Sequence, residues 1–218
     1  MIIRTLQQSR ATVLFLVIVW LFYGARLGVE SIYGEEVVFS LFVVQFSDLE
    51  YIWTWITAPL GHGNLAHLLL NSMLALYIIP PVERDLGTVK TSTVYLLGGA
   101  ACAVTGTVLI TFVRMPFLSD VTDIGGLGSS IGLFVLLGLS LRRYWSSQNP
   151  LLAEIGISIK NSTLFGILLI GSFVGIVFDI WRISIELSFP GLGHHYHVVG
   201  LILGALISEG VSTQEHNG

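Results

Sequence analysis

Charged residues are spaced along this chain so that six long intervals hold none. The charge-free runs cover residues 11–25, 51–82, 91–113, 124–141, 161–178 and 187–208. A helix that crosses a bilayer needs roughly 20 mostly apolar residues, so each run is a candidate crossing. A soluble fold is excluded on the same grounds. Only 11% of the 218 residues are charged, against roughly 25% in a soluble domain. The mean hydropathy of +0.81 agrees. The expected class is an all-α membrane protein of six transmembrane helices, with the lipid bilayer as its main solvent.

Arg26 can reach toward the interface, so the first helix is expected to continue to about Leu27. The second run is longer than one crossing, and its helix is expected over about Leu65 to Val82. Arg4 and Arg10 precede the first apolar stretch as in a signal peptide, but no clear A-x-A cleavage site follows, so a retained span is expected. With the N-terminus inside, Arg4, Arg10, Arg84, Lys90, Arg142, Arg143 and Lys160 are cytoplasmic. Arg26, Arg114 and Arg182 are external. That asymmetry satisfies the positive-inside rule and puts both termini in the cytoplasm of a multi-pass cell-membrane protein. Residues 28–63 then form a long external loop between helices 1 and 2. Its apolar stretch from Val37 to Ser47 is too short to cross and suits the interface, with Trp53 and Trp55 at headgroup level. Residues 1–218 read as one compact domain. No basic patch for nucleic acid is present. The single cysteine, Cys102, reads as a small apolar core residue.

Polar groups inside a membrane are costly and usually functional. Three clusters stand out. In G-H-G-N-L-A-H-L-L-L-N (61–71), His67 and Asn71 share one helix face, with His62 just before the helix. An imidazole and an amide there can donate to a buried oxyanion, or simply bind helices together. In G-G-L-G-S-S-I-G-L-F (125–134), glycines surround two serines at the outer start of the fourth helix. They free a nucleophile from its neighbours, or serve helix packing through Gly128 and Gly132. In H-H-Y-H-V-V-G-L-I-L-G (194–204), Gly200 and Gly204 lie on the face of His197 and let a neighbouring helix come close. His194 and His195 read as loop residues. A serine and a histidine on separate helices can meet at one depth, the histidine taking and returning the serine proton. The sixth run holds no acid, so a Ser-His dyad is expected rather than a triad.

The chain resembles the rhomboid family over about residues 50–208. His62, His67 and Asn71 match the family's His, His at +5 and Asn at +9. E-R-D-L-G (Glu83 to Gly87) matches the glutamate and glycine that follow, and W-T-W-I-T stands where the family has W-R-x-x-T. His197, Gly200 and Gly204 match the last-helix pattern. In the G-x-S-G motif, Ser130 as nucleophile places Gly128 at −2, Phe134 at +4 and Gly138 at +8. Ser129 would put leucines at all three, so Ser130 is chosen. The sequence departs at Ile131 (glycine in the family), Thr54 (arginine) and Tyr196 (small).

The resemblance implies a six-helix bundle around a wet, outward-open cavity. It implies Ser130 and His197 as a catalytic dyad, with His67, Asn71 and the Ser130 N–H stabilising the oxyanion. His62, Gly128, Phe134 and Gly200 are supporting positions. The substrate would be a transmembrane segment of another protein, entering between the second and fifth helices; no cofactor or metal is expected. Neutral His197 is required, so activity should fall below about pH 6.5. Two other readings stand beside this one. An inactive rhomboid-like protein would bind membrane-protein clients without cutting them. A metal transporter would use His62, His67, His194, His195 and His197, though no H-E-x-x-H motif exists.

Overall fold

A computed structural model describes residues 9–114, 125–184 and 193–210. Helix α1 (Arg10–Tyr33) starts on a Ser9 cap and buries Ala11, Thr12, Phe15 and Val19, one stripe of its surface. The remaining faces are apolar and exposed, which only lipid as solvent explains. The helix runs six residues beyond Leu27. Arg26 pairs with Glu30 one turn later at 3.0 Å, so the charge is answered within the helix and does not end it. Gly34, with φ of 85°, ends it.

The region expected as a long loop is therefore shorter and largely built. Helix α2 (Glu35–Phe42), strand β1 (Val44–Gln45) and helix α3 (Thr54–Thr57) fill it. The Trp53 indole N–H donates to the Ser40 carbonyl and that of Trp55 to the Leu49 carbonyl, folding the segment on itself. Strand β1 pairs antiparallel with β2 (Gly125–Gly126). That pairing ties the segment to the strand leading into the serines.

Helix α4 (Leu65–Leu86) passes Val82, where the charge-free run stops. Glu83 accepts hydrogen bonds from the Ser9 hydroxyl, from the Ala11 N–H at 2.9 Å and from Thr88 Oγ1 at 2.5 Å. A carboxylate so supplied with donors can remain at a buried helix end. The same bonds hold together the start of α1, the end of α4 and the start of α5 (Thr88–Thr93). A π-helical turn (Val94–Gly98) joins α5 to α6 (Gly99–Arg114) in one continuous rod.

Helix α7 (Ser130–Arg143) is the centre, buried on nearly every side by α4, α6 and α10 (His194–Gly210). The charge-free run begins at 124, but Gly125–Gly126 are strand and the helix starts at Ser130, one of the two serines expected at its outer start. The start expected for the sixth span, 187–192, lies outside the described residues. After a short helix α8 (Pro150–Glu154), helix α9 (Asn161–Ser184) packs on α10 and α7. Among the described residues, four helices are long and apolar enough to cross a membrane: α1, α4, the rod over Thr88–Val113, and α9 over Asn161–Trp181. The other two are shorter. With 14 and 17 residues, α7 and α10 span about 21 and 25 Å at 1.5 Å per residue.

Candidate active site

The seam between α7 and α10 sets the site. A Cβ on Gly204 would overlap the Val135 carbonyl, and one on Gly138 the Leu201 backbone. On Gly200 it would meet Phe134 Cβ at 3.0 Å. Three glycines thus bring two backbones together at spacings no larger residue allows. The close approach lays the Phe134 ring flat against His197, with centroids 3.9 Å apart and planes 9° from parallel. Phe134 is one turn after Ser130 on α7.

The two serines are in different situations. Ser129 is fully buried, and its Oγ lies 2.9 Å from His62 Nε2. Asn71 Nδ2 approaches the same nitrogen at 3.2 Å. Burial, reinforced by nearby His67, pushes the His62 pKa down to about 3. His62, Asn71 and Ser129 therefore form one closed polar cluster around a neutral imidazole. Ser130 is only half-buried.

Gly128 places His67 beside Ser130. Its φ of 146° is open to glycine but strained for other residues. A Cβ there would also sit 2.7 Å from His67 Cε1, 3.1 Å from His67 Nε2 and 3.6 Å from Ser130 Oγ. Only a bare backbone can pass between the imidazole and the hydroxyl. The Gly128 N–H donates to the Ala58 carbonyl at 2.9 Å, and Asn64 caps α4 by accepting from the His67 N–H at 2.9 Å. From the other side, the Tyr95 hydroxyl donates to the Pro59 carbonyl, and its ring fills the space left by Gly132. Tyr95, in the π-helical turn, carried no signal in the sequence.

Each sequence departure has a place. Ile131 is buried in a cluster with Val44, Ala58, Cys102, Ala103, Val135 and Tyr196. Tyr196 lies across Gly106 and Gly126, where any Cβ would overlap its ring, and its hydroxyl is 2.7 Å from Thr107 Oγ1. Two distant glycines make the room that a small residue at 196 would not need. Thr54 is buried and donates to the Tyr51 carbonyl at 2.7 Å.

His194 and His195 are a correction. Both belong to α10, not to a loop. His194 meets His197 edge-on at 5.7 Å, and His195 is buried against Tyr196. The three-residue step from 194 to 197 was the available signal, since it puts both imidazoles on one helix face. Among the described residues, no three His, Cys, Asp or Glu side chains gather as a metal-ligand set.

A polytopic helical membrane protein with a serine, two histidines and an asparagine gathered at its central helix is the class that this fold and site define. The Rhomboid domain matches residues 49–214, and the chain belongs to that family. No curated protein is found to match it.

Proposed function

We propose that the chain is an intramembrane serine endopeptidase that cuts transmembrane segments of other membrane proteins, with Ser130 as nucleophile and His197 as base. Members of the family generally have this activity. The observation that carries the assignment to this chain is the parallel stack of Phe134 on His197, one helical turn from a half-buried Ser130, while Ser129 is tied to His62.

In this reading α7 and α10 complete a six-span bundle with both termini cytoplasmic. In the same reading they are short because each starts below the outer surface, where Ser130 and His197 would come together in a wet cavity. A substrate helix entering beside α9 must unwind locally, because an intact helix keeps its carbonyls bonded and screened. Ser130 Oγ attacks the exposed carbonyl carbon while His197 takes its proton. His67, the second Asn71 amide hydrogen and the Ser130 N–H face the developing oxyanion; that N–H is the first of α7 and has no partner within the helix. His197 returns the proton to the leaving amine, and water releases the acyl group.

The alternative, a binding protein without catalysis, has its best argument in Ile131, which stands where the family has glycine; Tyr196 is the other departure near the dyad. Both side chains are housed in the core, Ile131 1% and Tyr196 3% exposed, which favours the protease reading. Cleavage of a transmembrane reporter by purified protein in liposomes tests the proposal. Cleavage is expected to vanish with Ser130→Ala and to persist with Ser129→Ala. Absence of cleavage by the wild type, or loss only with Ser129→Ala, overturns it.

A further inference from the structure

We propose that His194 is a positioning residue, which ties the orientation of the His197 imidazole to the position of helix α9. The proposal rests on the protease reading. Three contacts on one path carry it. The His194 ring occupies the space beside Gly175 of α9, where a Cβ would overlap the ring itself. That ring also meets His197 nearly at right angles, 88° between planes, with centroids 5.7 Å apart. His197 in turn lies flat on Phe134 of α7. The base is therefore held by one ring from the central helix and by another that bears on α9.

The two supports differ in what moves them. Phe134 is fixed by the glycine seam. Helix α9 is loosely held: Gly166 and Gly171 have nothing within 4 Å of a built Cβ, and large apolar side chains between Ile167 and Trp181 are exposed. Gly175 is the point on α9 where a ring from α10 is inserted. A transmembrane substrate that moves α9 therefore moves the contact on His194, and through it the ring that supports His197. His194 does not touch the reacting atoms; it acts through His197.

The test uses full-length protein in liposomes and two readouts. A fluorophosphonate probe reports Ser130 reactivity without α9 having to admit a helix. A transmembrane reporter gives kcat and KM. His194→Ala is expected to slow labelling and lower kcat about tenfold with KM unchanged, because small displacements of a base are costly. His194→Phe keeps a ring in the gap and is expected to restore most of the rate. Gly175→Ala is expected to slow labelling to a similar degree, yet to have no further effect in the His194→Ala background, where the ring it would strike is gone.

Wild-type labelling rates in His194→Ala overturn the proposal, as do equal effects of Gly175→Ala with and without His194. Should Gly175→Ala fail to fold, the comparison of His194→Ala with His194→Phe decides, loss in both equally counting against positioning by packing. A wild-type chain that neither labels nor cleaves removes the protease reading itself, and this proposal with it.

Discussion

The α7–α10 seam and the α9 flank are built on opposite plans, though both are apolar and glycine-bearing. In the seam, Gly138, Gly200 and Gly204 each face the partner backbone or Phe134 with no room for a methyl group. On α9, Gly166 and Gly171 face open space, and large apolar side chains such as Phe173, Val177 and Phe178 are exposed. Glycine thus means close contact in one place and nothing in particular in the other. Lipid-facing apolar residues gain little from further burial, because hydrocarbon is as apolar as their neighbours. The seam is tightly packed along its length, while the helix beside it is tightly packed at Gly175, against the His194 ring, and open at Gly166 and Gly171.

The strongest way to break this contrast is to add bulk on both sides. Gly204→Val should destabilise by about 3 kcal/mol or more, since the side chain must displace the Val135 carbonyl. Gly171→Val should stay within about 0.5 kcal/mol of wild type. Thermal unfolding in detergent measures both, and equal losses would erase the distinction.

Removing oxyanion donors comes next. His67→Ala should lower kcat on the order of 10²-fold with KM little changed, the cost of one such donor. Phe134→Ala should lower kcat roughly tenfold by freeing His197 on the seam, while Phe134→Tyr, which keeps the ring, should not. Steady-state cleavage of the reporter separates kcat from KM in each case.

The effect that is smallest near neutral pH concerns the closed cluster around Ser129. His62 is held at about 3 against an ordinary value of 6.5. As pH falls below 6.5, the unfolded chain takes up a proton that the folded chain refuses, so stability declines until about pH 3. His62→Asn should flatten part of that decline. Identical pH dependence of melting in the two proteins would show that His62 is not held neutral.

Much of the fold could be read from the chain because lipid imposes a simple rule: charge-free runs of the right length become helices. The rule failed at helix ends, where charge is neutralised locally. Arg26–Glu30 lets α1 continue to Tyr33, and the donors around Glu83 carry α4 to Leu86. It failed again before Ser130, where the charge-free run includes the glycine-rich stretch 125–129 that is not helix. The candidate site was legible as spacings: His62, His67 and Asn71 on one element, Gly128, Ser130 and Phe134 on another, His197 and Gly200 on a third.

Spacing favoured Ser130 over Ser129, but it could not convey that Ser129 is tied to His62. Nor could it convey where the Tyr196 ring is housed. The space for its ring comes from Gly106 and Gly126, ninety and seventy residues upstream. His194 was visible at the right interval from His197 but was read as loop, along with the P-G-L-G stretch (190–193) that precedes it.

The central claim is that Ser130, and not the buried serine beside it, is the hydroxyl activated by His197. Peptide mapping of the adduct formed by a fluorophosphonate on the full-length protein in liposomes tests this most directly. The account predicts modification on Ser130 that disappears with His197→Ala and survives Ser129→Ala. An adduct on Ser129, or one on Ser130 that forms equally fast without His197, would contradict it.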